Sequence, residues 1–172
     1  MSGQEAQSAS SLLSPIDPLV TINELIAGYF KTQLVYIAAK LRLVDILNER
    51  PRSMAELGKV VSADPLALRR IVRALIVYGL LIEDATGALS PTAAGAYLAS
   101  GHPRSLREYA LFVGEQHYPA WGEIAYSAQT GETGFEAAFG ARPKRWPRHA
   151  TFPTAEWSLM WAADTERCLR YF

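Results

Sequence analysis

Cysteine is almost absent from this chain of 172 residues. The single Cys168 cannot close an internal disulfide, so a reducing compartment, by default the cytoplasm, is expected. Net charge is absent too: 17 basic side chains balance 17 acidic ones, which argues against a polyanion as the main partner. No apolar run approaches the roughly 20 residues needed to cross a bilayer. The opening MSGQEAQSASSLLSP lacks both the basic start and the apolar core of an export signal. No membrane partner is therefore expected, and residues 1–14 read as a polar, Ser-rich disordered tail. The three histidines, His102, His117 and His149, show no metal-ligand spacing with Cys168 or the carboxylates. Without a nucleophile elbow no Ser-His-Asp set can be singled out either. No Gly-rich loop follows a strand, and no downstream acid stands ready to hold a ribose. No catalytic, metal-binding or cofactor-binding residue is assigned.

What is present is an apolar fraction of 49%, enough for one ordinary core, and a single domain over 15–172 is expected. Its organising stretch runs from Ser53 to Gly95. Ser53 followed three residues later by Glu56 is a capping box, opening a helix with Met54, Leu57 and Val61 on one face. Asp64-Pro65 is a second start signal, a cap carboxylate before a proline at the first helical position. The helix it opens carries Leu68, Ile71, Val72, Leu75 and Ile76 on one side and closes at Gly79. Leu80–Asp84, the turn Ala85-Thr86-Gly87 and Ala88–Ser90 predict a small β-hairpin, after which Pro91 is expected to start another helix. The fold class is thus mainly α: a winged helix-turn-helix with a β-hairpin wing and flanking helices.

Before this stretch, Leu19–Leu41 is one long helical pattern. Leu25, Ile26, Tyr29, Phe30, Leu34, Val35, Ile37 and Ala38 spread wider than the stripe of a surface helix. A second copy of the chain, in a closed homodimer through this helix, is the simple explanation; the alternative is that these residues complete the monomer's own core. Leu43–Leu47 forms a short helix ending near Pro51. After the wing, Pro91–Leu98 and Ser105–Gln116 read as helices, Tyr118-Pro119 as an interruption, and Trp121–Gln129 as a further helix stopping at Thr130-Gly131. Phe135–Phe139 adds a turn or two.

Taken as a series, LVDILNERPRSMAELGKVV, DPLALRRIVRALIVYGLL, SPTAAGAYL and the segment Trp121–Gly140 resemble the N-terminal dimerisation domain of the S-adenosylmethionine-dependent O-methyltransferases that act on plant phenolics and bacterial polyketides. The resemblance covers about residues 19–172. It implies a scaffold that pairs two subunits and contributes to an aromatic or polyketide substrate pocket. S-adenosylmethionine is the cofactor of the full-length family, and no residue of this chain matches its site. The family's histidine base lies in a half that this sequence does not contain, so the chain alone is expected to transfer no methyl group.

Carried over residue by residue, the family's pocket-lining phenylalanine, small residue and methionine fall on Trp157, Met160 and Trp161. The spacing survives and the chemistry does not. Pro143, Pro147 and Pro153 oppose the expected helix, and Arg142, Lys144, Arg145 and Arg148 add four positive charges to it. A pair of compensating frameshifts across residues 141–161 would account for this; translation of that DNA in the other two frames is the test, and neither frame restoring a family-like helix would refute it. His117 and Trp121 are candidates to face the pocket with Phe112, against the alternative that Trp121 and Tyr126 are ordinary core aromatics. Cys168 reads as a small core residue.

A DNA-binding winged-helix regulator is the rival reading. It would present Arg69, Arg70 and Arg73 to a major groove. Against it, Asp84-Ala85-Thr86-Gly87 at the wing tip carries an acid and no base, and the helix equally fits the methyltransferase pattern, so nucleic acid is the less expected partner.

Overall fold

The computed structural model describes residues 17–140. The expected tail, the segment 141–161 and Cys168 lie outside the described residues. Two units divide the chain, one running to Lys31 and the other starting at Thr32. Helix α1, Pro18–Lys40, contains the boundary. In the first unit, Leu19, Val20, Ile22, Leu25, Ile26, Tyr29 and Phe30 are all exposed. In the second unit, Leu34 and Val35 pack against the core and Ala38 and Ala39 are buried in it. The wide apolar face therefore divides: Leu34, Val35 and Ala38 complete the core, and Leu25, Ile26, Tyr29 and Phe30 are left uncovered.

The second unit is built as its signals require. Helix α2, Leu43–Glu49, starts after Arg42, which sits in the left-handed region at φ 53°. Asp45 of α2 accepts hydrogen bonds from the Ser100 N–H and hydroxyl, both at 2.7 Å, and from Arg42 Nε at 3.0 Å. Helix α3, Met54–Val61, opens on the full capping box: Ser53 Oγ accepts from Glu56 N, and the Glu56 carboxylate accepts from Ser53 N at 2.9 Å. Helix α4, Pro65–Val77, has Asp64 as its cap, accepting from Ala67 N at 2.8 Å. It buries Leu68, Val72 and Leu75. Gly79, at φ 69°, closes it with paired bonds from Gly79 N to Ile76 O and from Leu80 N to Leu75 O, both 2.9 Å.

The wing is larger than the hairpin the sequence suggests. Strand β1, Arg52–Ser53, joins β2, Leu81–Glu83, and β3, Ala88–Pro91, in an antiparallel sheet of order β1-β3-β2. A two-residue strand that doubles as a helix cap carries no strand signature of its own. Its partner creates it, through Arg52 opposite Leu89 and Ser53 opposite Ala88. Pro91 does not start a helix. It ends β3 opposite Leu81, beyond the two positions that β1 covers, and the helical geometry that follows is a single 3-10 turn, Gly95–Leu98.

The later helices also depart from expectation. Helix α5, Arg107–Phe112, begins two residues after the anticipated Ser105, and the chain continues through a π turn, Val113–His117, into α6, Tyr118–Gly122. Tyr118-Pro119 is therefore no interruption. The wider turn carries the chain past Pro119 by bonding Tyr118 N to Val113 O, so a residue without an N–H stands at the start of the next α segment. The break falls instead at Glu123, which puts Trp121 in α6 rather than in α7, Ile124–Thr130. Helix α8, Gly134–Phe139, follows with Thr133 as its cap.

Candidate functional site

Gly114, in the π turn, lets α5 approach α1 closely: a Cβ there would lie 2.2 Å from the Tyr36 ring. The ion pair Lys40–Glu115 adds a charged clasp beside this contact. At the far end, a Cβ on Gly134 would lie 2.3 Å from the Ala120 carbonyl oxygen, so α8 can lie against α6 only with glycine there. The second approach brings Phe135 of α8 against His117 of the π turn. The His117 ring stands 4.4 Å from Phe112 and 5.8 Å from Phe135, edge to face with both, and Phe135 is 5.8 Å from Phe139. Burial among these groups pushes the His117 imidazole below its usual pKa, favouring the neutral ring.

Of the residues singled out from sequence, the structure brings Phe112 and His117 together. Phe112 is buried, whereas Trp121, one helical turn past His117, is 45% exposed. Tyr126 is also exposed, so neither it nor Trp121 is a core aromatic. Trp157, Met160 and Trp161 lie outside the described residues. Phe135 and Phe139 were not assigned to the site; no local signal links them to His117, because the contact depends on how α8 folds back. Tyr118, Ile124 and Phe139 also expose large apolar surface on these last helices. Among the described residues no group of three or more His, Cys, Asp or Glu side chains could hold a metal ion. No helix among them is long and apolar enough to cross a membrane.

Residues 23–101 match the family model of the O-methyltransferase dimerisation domain. Residues 23–101 are thus an O-methyltransferase dimerisation domain. It is 38% identical over 117 residues to the phenazine O-methyltransferase PhzM of Lysobacter antibioticus, an alignment spanning 68% of this chain and 34% of that protein. The crystal structure of LaPhzM superposes with a TM-score of 0.70 at 30% identity, covering 91% of this chain and 43% of that one. An O-methyltransferase from neocarzinostatin biosynthesis, solved with S-adenosylmethionine and 2-hydroxy-5-methyl naphthoic acid, superposes with a TM-score of 0.59 at 27% identity, covering 64% of this chain and 35% of that one. The chain spans about a third of the length of the curated relatives it matches.

The dimerisation domain's described residues do not fit S-adenosylmethionine. Their strands are two to four residues long and all antiparallel, and none leads through a glycine-rich turn onto the N-terminus of a helix.

Proposed function

We propose that this chain pairs with a second copy of itself through α1 and supplies one aromatic wall of the substrate pocket of an S-adenosylmethionine-dependent methyltransferase acting on an aromatic or polyketide hydroxyl. The observation that carries the pairing is the row of exposed apolar side chains in the first unit, including Leu19 at 74%, Leu25 at 72% and Ile26 at 67%. Soluble monomers rarely leave so continuous an apolar helix face in water, and a two-fold partner would bury it against its own copy. The wall would be formed by His117, Phe112 and Trp121 together with Phe135. Relatives whose names or structures include phenazines and a naphthoic acid support a flat aromatic ligand there. A neutral His117 offers such a ligand an uncharged aromatic ring beside Phe112 and Phe135. The single cysteine suits the reducing cytoplasm in which this reading places the protein.

Light scattering on the eluting protein tests the pairing. Twice the chain mass of 18.9 kDa is expected, with Leu25→Glu/Tyr29→Glu giving a folded monomer. A wild-type monomer with a cooperative melt would refute it. For the wall, phenazine-1-carboxylate should quench tryptophan fluorescence saturably in the wild type, with Trp121→Phe removing most of the change. Equal quenching in the two proteins would remove Trp121 from the site.

A further inference from the structure

Helix α4 carries a second surface that neither the pairing nor the aromatic wall uses. Leu66, Arg70, Arg73 and Val77 are all exposed and follow one another at intervals of four, three and four residues, the spacing of a helix-packing seam, with Arg69 beside them. Leu66 is 67% and Val77 81% exposed, so each end of the seam is an uncovered aliphatic side chain. The arginines between them differ from others in the second unit. Arg42, Arg50, Arg52 and Arg107 each pair with a carboxylate, and Arg104 lies over the Tyr97 ring. Among the described residues, no ion pair involves Arg69, Arg70 or Arg73. The seam is about 16 Å long, roughly three helical turns.

We propose that this seam docks an amphipathic helix of another protein, with aliphatic side chains facing Leu66 and Val77 and carboxylates facing Arg70 and Arg73. The apolar ends exclude water, and each guanidinium donates two parallel N–H bonds to a carboxylate. Charge complementarity makes the partner's middle acidic, and a helix laid along α4 is the form whose own side chains recur at the same 4-3-4 spacing. Duplex DNA fits less well. It would set phosphates against two exposed aliphatic residues, and a winged-helix grip would press the backbone against Glu83 and Asp84 of the wing. The Asp84 carboxylate is fixed there by Thr86 and by Ala88 N at 3.0 Å. The inference is independent of the methyltransferase reading.

The probe is a fluorescein-labelled synthetic helix of about five turns, bearing Leu, Glu, Glu and Leu at the same spacing, read by fluorescence anisotropy with the full chain. Wild type is expected to bind it. Arg70→Glu/Arg73→Glu should weaken binding about tenfold or more, and exchanging the peptide's Glu for Gln should do the same. Val77→Ser should weaken it about threefold, a loss that pure charge attraction would not produce. All three altered side chains, Arg70, Arg73 and Val77, are exposed, and unchanged melting temperatures would verify that the variants fold. Absence of binding by wild type, indifference to Val77→Ser, or tighter binding of a DNA duplex in the same buffer would each overturn the proposal.

Discussion

Replacing Gly95 by alanine tests how the wing is fastened to the domain. A Cβ at this position would stand 1.9 Å from the Leu80 carbonyl oxygen and 3.0 Å from its carbonyl carbon. The Leu80 carbonyl cannot step aside freely, because it accepts from Thr92 N at 3.1 Å and from the Thr92 hydroxyl at 3.3 Å. The same hydroxyl donates to Gly79 O at 2.5 Å and accepts from Gly95 N at 3.0 Å, so the end of α4, the start of β2 and the 3-10 turn share one knot. Opening the contact to an ordinary separation requires a backbone shift of roughly 1 Å, and overpacking of that kind costs about 3 kcal/mol. At roughly 3 °C per kcal/mol, Gly95→Ala should lower Tm by about 10 °C. Gly122→Ala is the matched control: nothing lies within 4 Å of its added Cβ, and the last position of α6 should gain about 0.5 kcal/mol from a less flexible unfolded chain. Thermal melts followed by circular dichroism at one protein concentration measure both, since pairing would make Tm concentration-dependent. A Gly95→Ala melt within 2 °C or so of wild type would refute the close-contact reasoning.

Three further outcomes follow from the charged and polar groups. Ser53 and Arg50 hold the Glu56 carboxyl down at about 2, from the ordinary 4.5, so its contribution is present above pH 4.5 and is lost as pH falls towards 2. Urea midpoints of wild type and Glu56→Gln should therefore differ at pH 6 and converge near pH 2; a constant gap would contradict the capping-box assignment. Burial lowers the His117 pKa, so its neutral ring favours the fold above the ordinary value of 6.5, and that contribution fades as pH drops below it. An NMR titration should give folded His117 a midpoint below the one it shows in urea, and a midpoint raised instead would put an unrecognised acid beside the ring. Asp45→Ala should cost about 1 kcal/mol by removing the acceptor of both Ser100 bonds, which water at the exposed Ser100 replaces only in part, while Asp45→Asn, which keeps an acceptor oxygen, should lose less than half of that. Chemical denaturation distinguishes the two, and equal losses would mean that the Arg42 pairing, not the Ser100 bonds, carries the effect.

The sequence by itself determined the elements whose causes are local. Ser53 with Glu56, Asp64 with Pro65, and Gly79 after an apolar run each specify a cap or a stop within a few residues, and α3 and α4 begin and end where those signals stand. The uncovered face of α1 was also legible, since its excess of apolar residues over polar ones does not depend on any contact. Tertiary structure decided what depends on distant partners. Arg52–Ser53 is a strand only because β3 lies beside it, and Pro91 extends that strand because β1 has already ended. Pro119 reads as a breaker until a π turn carries the helix past it. Phe135 reaches His117 because glycine at 134 lets α8 approach α6 more closely than any side chain would allow. Propensity acts over one or two turns of chain, whereas close approach is set by what the rest of the fold brings against each residue.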